Sequence, residues 1–186
     1  MNVIQTELTG VLIIEPRVFG DERGFFMETW QQRRYAEIGL PDRFVQDNIS
    51  LSRHGILRGL HFQHPQAQGK LVYVLLGEVY DVAVDIRVGS PSFGRWEGVT
   101  LSAENKRQFY IPPGFAHGFC VTSDTALFAY KCTEFYNPAA EGCIRWDDPE
   151  IGIKWPFDKP TLSGKDGAAP LLAKIPQKML PLYETI

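Results

Sequence analysis

The sequence predicts an all-β fold, an antiparallel sandwich or barrel. Three observations carry this. Short segments of strand character recur between Gly- and Pro-bearing turns. One of them, Val79 to Arg87, alternates cleanly. A single segment, around Thr29 to Ile38, has helical character before Gly39 and Pro41 stop it.

In chain order, Gly10 to Glu15 reads as a strand ended by Pro16. Lys70 to Leu76 and Val79 to Arg87 read as two strands joined by a tight turn at Gly77-Glu78. In the second, Tyr80, Val82, Val84 and Ile86 share one face, and Asp81, Ala83, Asp85 and Arg87 the other. Arg95 to Leu101, Arg107 to Ile111, Gly118 to Thr122 and Thr125 to Tyr136 are further strand candidates. Residues 137 to 186 are Pro-rich and weakly periodic, with a terminal helical turn or two. No repeat or linker divides the chain, so residues 1–186 read as one domain with a loop-rich C-terminal wrap.

Composition removes several classes. The 186 residues are 44% hydrophobic and 22% charged, ordinary for a globular protein and unlike a disordered or fibrous one. Net charge is −3, and no basic run exceeds Arg33-Arg34. Nucleic acid and anionic membranes need a denser basic footprint, so neither is an expected partner. The longest apolar run, Leu71 to Leu76, has six residues, against about 20 for a spanning helix. The first basic residue is Arg17 and Glu7 precedes it, which does not read as a secretion signal. Cys120, Cys132 and Cys143 form no CxxC pair and read as reduced packing thiols of a cytoplasmic protein.

The histidines carry the chemistry. Gly55-Ile56-Leu57-Arg58-Gly59-Leu60-His61 and Pro113-Gly114-Phe115-Ala116-His117 resemble the two motifs of a cupin jelly roll. A metal-binding cupin has a second histidine two residues after the first, and then a glutamate. Here Gln63 takes the first position, and Ala67 and Gln68 the second. His64 stands an odd number of residues from His61, which on a regular strand turns it to the other face. No set of three sound ligands assembles, and no catalytic metal is expected.

A wider pattern runs through the chain. It comprises Phe19 to Glu28, Gln46-Asp47-Asn48, Gly55 to Gln63, Gly69 to Val72, Pro112 to Phe119, Tyr130 to Thr133 and Leu162 to Asp166. In this order and spacing the sequence closely resembles the dTDP-4-dehydrorhamnose 3,5-epimerase family, over about residues 3 to 180. The resemblance implies a cupin-like jelly-roll β barrel, a homodimer and no cofactor. It implies inversion of C3 and C5 of dTDP-4-dehydro-6-deoxy-D-glucose through an enolate, in dTDP-L-rhamnose synthesis. Such chemistry needs a base, an acid across the ring, and positive charge near the C4 ketone.

The resemblance implies His61 as base, Asp166 as the group that orients it, Lys70 as enolate stabiliser and Tyr130 as acid. For binding it implies Arg23, Arg58 and Lys165 near the pyrophosphate and Tyr136 stacked on thymine. Glu28, Gln46 and Asn48 would add polar contacts, Phe19 an apolar wall, and His117 and Glu141 further site contacts. Each has a plainer reading on its own. Tyr130 would pack, Lys70 would be a solvated strand-edge residue, Asp166 a turn former, and Arg23 a partner of Asp21 and Glu22.

Tyr130 and Tyr136 differ by six, so one regular strand could turn both inward. Arg58 and His61 differ by three. They share a pocket only if the strand starts after Gly59 or bulges there; failing that, one assignment is wrong or Arg58 reaches the pocket of a neighbouring subunit. Rival functions are a single-centre epimerase or 3,4-ketoisomerase on the same sugar, and a non-catalytic sugar-nucleotide-binding cupin. Exposed barrel edges paired across a two-fold would also favour a homodimer.

Overall fold

The structure is a computed structural model and describes residues 1–183. Its strands are β1 (Asn2–Gln5), β2 (Leu12–Glu15), β3 (Val18–Asp21), β4 (Gly24–Met27), β5 (Gln46–Arg53), β6 (Leu57–Gln63) and β7 (Lys70–Leu76). They continue with β8 (Glu78–Asp85), β9 (Trp96–Ser102), β10 (Gln108–Ile111), β11 (Phe115–Val121), β12 (Thr125–Cys132) and β13 (Glu141–Cys143). Helix α1 spans Gln32–Ala36 and α2 spans Gly164–Gly167; two 3-10 turns, Leu172–Lys174 and Gln177–Met179, follow.

Two antiparallel sheets face each other as a jelly-roll barrel. One runs β1-β2-β10-β7-β12-β5, the other β13-β6-β11-β8-β9, and β3-β4 form a separate hairpin. Val72 and Phe128 from the first sheet meet Val79, Ala83 and Phe119 from the second in one apolar interior.

The alternation in β8 separates two buried faces rather than core from solvent. Val82, Val84 and Ile86 pack outside the barrel against Ile144, Ile151, Leu172 and Leu180 of the C-terminal wrap. The opposite face carries Asp81 and Asp85, both fully buried. A buried charge needs partners. Asp81 faces His117, and Asp85 accepts bonds from Arg87, Ser90 and Ser92.

The helix is shorter than its sequence suggests. The Gln31 side chain caps it by accepting from the Arg34 amide, and Gly39, at φ +90°, turns the chain away. Buried Tyr35 pins it to the first sheet by donating to Gln108 Oε1 at 2.8 Å. Strand β5 carries no apolar signal: its polar residues alternate with exposed Ile49 and Leu51 on a sheet edge. β12 ends at Cys132, four residues before Tyr136.

The parity conflict in β6 is resolved by a bulge. His61 pairs with His117 while Arg58 pairs with Phe119, so β6 spends one more residue than β11 over this stretch. Gly59 sits in it at φ +132°. A Cβ there would lie 2.6 Å from Gly118 Cα and 2.8 Å from the His117 carbonyl. We therefore expect Gly59→Ala to lose about 1–3 kcal/mol of stability in urea unfolding. An unchanged midpoint would show that β6 and β11 do not depend on this close approach.

Candidate active site

A cavity of about 260 Å³ opens at one end of the barrel, between the two sheets. His61 on β6 and Glu141 on β13 line it from one sheet; Lys70 on β7, Tyr130 on β12, and Gln46 and Asn48 on β5 line it from the other. Tyr136 closes one side.

His61 is held from behind. Its Nε2 lies 2.6 Å from Asp166 Oδ1. Asp166 stands on α2, whose N-cap Ser163 accepts from the Asp166 amide at 3.1 Å. The Asp166 side chain is 4% exposed and the His61 ring 31% exposed, so the pair is buried at the carboxylate and open at the imidazole. With Nε2 committed to Asp166, Nδ1 is the ring nitrogen left to act on a ligand. Burial holds the His61 pKa below the ordinary imidazole value of 6.5. Asp166 opposes that shift, and Lys70 and Lys165 add to it.

Lys70 and Tyr130 sit on neighbouring strands, with Lys70 Nζ 6.0 Å from the Tyr130 ring centroid. Burial lowers the Lys70 ammonium below its usual 10.5, against the pull of Cys132, Asp81 and Glu141. Burial raises the Tyr130 phenol above 10, with Arg58 pulling the other way. A cation, a neutral phenol and an imidazole thus converge on one space.

The other sequence-derived residues divide. Asn48 accepts from Gln46 Nε2 at 3.0 Å, and Gln46 Oε1 takes the Tyr136 amide at 2.9 Å. Tyr136 therefore reaches the cavity through this loop anchor, not from an extended β12, which corrects the common-strand expectation. Its hydroxyl donates to Glu141 Oε2 at 2.9 Å, and Lys165 Nζ lies 2.5 Å from that same oxygen. Arg58 and Lys165 do not line this cavity. They border an adjoining one of about 280 Å³, which His61 and Asp166 also line.

Four expected contacts are not brought to the cavity within one chain. His117 is buried beside it, its Nε2 3.0 Å from both Asp81 oxygens. Phe19 and Arg23 lie on the β3–β4 hairpin around a separate depression, and Arg23 is paired with Asp21. Glu28 follows that hairpin and meets Arg34 at 3.3 Å. Sequence reasoning missed Gln63 as a contributor. Its amide donates to the carbonyls of Gln66 (2.6 Å) and Phe135 (3.0 Å), and its Oε1 takes the Asn137 amide (2.8 Å). Its one sequence signal is its place two residues after His61, where a cupin carries a ligand. Cys143 was also missed: its thiol donates to Asp166 Oδ1 at 3.7 Å.

A family model described as dTDP-4-dehydrorhamnose 3,5-epimerase matches residues 5–174. The chain is 60% identical over 175 residues to dTDP-4-dehydrorhamnose 3,5-epimerase of Salmonella typhimurium, covering 92% of this chain and 96% of that protein. Its structure matches that of a dTDP-6-deoxy-D-glucose-3,5-epimerase from Legionella pneumophila in complex with dTDP-4-keto-L-rhamnose. The TM-score is 0.97 and the identity 58%, over 99% of each chain. A 3′-monoepimerase from Streptomyces bikiniensis, in complex with dTDP-quinovose, is 36% identical at a TM-score of 0.90, over 96% of this chain and 92% of that one.

The His61 environment can be read directly by NMR titration. Its midpoint is expected below 6.5. Asp166 is the partner that favours the protonated ring, so Asp166→Asn should lower the midpoint further. A rise in the variant would contradict the arrangement.

Proposed function

The chain belongs to the dTDP-4-dehydrorhamnose 3,5-epimerase family, and from that premise we propose which of its residues carry the reaction. It is an isomerase that inverts C3 and C5 of dTDP-4-dehydro-6-deoxy-D-glucose, giving dTDP-4-dehydro-L-rhamnose. Each inversion removes a proton beside the C4 ketone. The C–H electron pair moves into a C=C bond and the ketone oxygen becomes an enolate. A proton then returns to carbon from the opposite face.

His61 takes the proton on Nδ1, and Asp166 stabilises the imidazolium through Nε2. Lys70 holds the enolate charge in a partly water-excluded site, where a fixed cation counts for more than in water. Tyr130 delivers the returning proton. One observation carries these roles: His61 and Tyr130 come from opposite sheets to a single cavity, so a ring between them meets base and acid on different faces. The cavity suits the sugar. Gln46, Asn48, Tyr136 and Glu141 lie where the nucleotide would leave it, and Arg58 and Lys165 sit beside it as cations for the pyrophosphate. His117 supports the site from beneath through Asp81 rather than by touching substrate.

The working unit is a homodimer of this one-domain chain. A two-stranded hairpin is marginal alone, yet β3–β4 exposes Phe19 (51%), Phe25 (61%) and Phe26 (69%). Ile49, Leu51 and Leu76 form a second apolar area at the β5 edge. A second copy would cover these surfaces, and the hairpin would bring Phe19, Arg23 and Glu28 to the partner's cavity. No helix among the described residues is long and apolar enough to cross a membrane. The three free cysteines fit a cytoplasmic site of action.

Proton exchange in D2O tests the chemistry. The wild type should place deuterium at both C3 and C5 of the substrate, and His61→Ala at neither, with a rate loss of at least ~10²-fold. Tyr130→Phe should still exchange protons through His61 but return them to the original face, giving deuterium without inversion. Label at only one carbon in the wild type would make this a single-centre enzyme.

The pH profile of kcat/KM follows from the same groups. The acid limb reports protonation of His61 and should fall below pH 6.5; the alkaline limb reports loss of the Lys70 proton and should fall below 10.5. Arg23→Ala should raise KM at least ~10-fold, the loss of a charge-assisted hydrogen bond, while light scattering still finds a dimer. An unchanged KM would remove Arg23 from the site.

A further inference from the structure

We infer that His61, Cys143 and Asp166 form a binding site for a thiophilic divalent cation of the zinc class, and that filling it switches the enzyme off. The inference rests on the reading of His61 as the base.

The fold brings three chemically different ligands together. Cys143 on β13 pairs in register with His61 on β6. Asp166 arrives from α2, 2.6 Å from His61 Nε2 and 3.7 Å from Cys143 Sγ. One imidazole nitrogen, one sulfur and one carboxylate oxygen lie within 4.8 Å of one another. Around a tetrahedral zinc, nitrogen and oxygen ligands at ~2.0–2.1 Å stand about 3.4 Å apart, and a sulfur at ~2.3 Å stands about 3.6 Å from either. Reaching that spacing needs the His61–Asp166 contact of 2.6 Å to open by about 0.8 Å, while Cys143 Sγ at 3.7 Å is already in range. The His61 ring is 31% exposed, which gives the ion a way in from the cavity and leaves a fourth position for water.

Proton accounting explains the inhibition. The Cys143 thiol donates to Asp166 Oδ1, so the sulfur starts protonated and its proton leaves to solvent when the metal–sulfur bond forms. His61 gives the metal its Nε2 electron pair, and the ring proton that Nε2 donated to Asp166 moves to Nδ1. Nδ1 then holds a proton and can no longer accept one from substrate.

The surroundings set the selectivity. Two cations stand close by: Lys70 lines the cavity with His61, and Lys165 is bound to Glu141. A hard ion that depends on several oxygen ligands finds one carboxylate here. Zn²⁺ and Cd²⁺, which gain from sulfur and imidazole, are the ions that fit.

The test uses the full chain, stripped with chelator, and two readouts. Cd²⁺ should produce a thiolate-to-metal charge-transfer absorption saturating at one ion per chain in the wild type and missing from Cys143→Ala. Zn²⁺ should inhibit the wild type, with the half-inhibiting concentration at least ~10-fold higher in Cys143→Ala, each protein measured against its own metal-free rate. Mg²⁺ should do neither. Cys143→Ser, which keeps the side-chain size, replaces the alanine variant if that one fails to fold. No absorption in the wild type, or an absorption that persists without Cys143, overturns the site. Absorption that depends on Cys143 without inhibition by Zn²⁺ keeps the site and overturns His61 as the base.

Discussion

The site depends on one hydrogen bond, His61 Nε2 to Asp166 Oδ1, made across 105 residues of chain. Without that partner the imidazole would be free to rotate and to choose either tautomer. The carboxylate fixes both, and thereby decides which nitrogen faces the cavity. The bond needs α2 to stand against the outer end of β6. That position is tied on both sides of α2: Thr161 bonds to Gly55 and Leu57, the Arg145 amide donates to the Pro170 carbonyl, and Ile144, Ile151, Leu172 and Leu180 of the wrap cover Val82, Val84 and Ile86. Side chains away from the cavity thus help hold the His61–Asp166 pair together.

Burial does a second job at the barrel mouth. It pushes His61 toward the neutral form, Tyr130 toward the protonated phenol, and Lys70 toward losing its charge. The first two shifts suit a base and an acid. The third would disarm the cation, and negative groups oppose it: Asp81 from β8, and Glu141 from β13. Asp81 is itself fully buried and leans on His117. The two inward histidines of the cupin-like motifs have therefore taken different work. One meets the cavity, and the other anchors a buried carboxylate beneath it.

The sequence resolved much of the fold. Lys70–Leu76 is a strand with the expected ends, and β8, β9 and β10 lie within a residue or two of expectation. These strands are apolar enough to reveal their period. β5 is not: QDNISLSR carries the polar edge of a sheet, whose meaning comes only from the strand beside it. The helix was overestimated because residues 29–31 and 37–38 have helical character but Gln31 and Gly39 supply the boundaries. Tyr136 was tied to a strand that stops short of it.

By itself, the sequence determined the all-β class, the chemistry-bearing residue types and, through the spacing of its motifs, the resemblance to one family. It also identified the Arg58–His61 parity conflict and its remedy at Gly59. Only the tertiary structure decided which residues share a cavity within one chain. It placed Arg58 and Lys165 in the adjoining cavity, buried His117 on Asp81, and left Phe19, Arg23 and Glu28 away from both. The reason is physical. Periodicity and residue chemistry are local and can be read along the chain. Proximity across 105 residues is set by which apolar faces bury each other, and that is a property of the whole packed molecule.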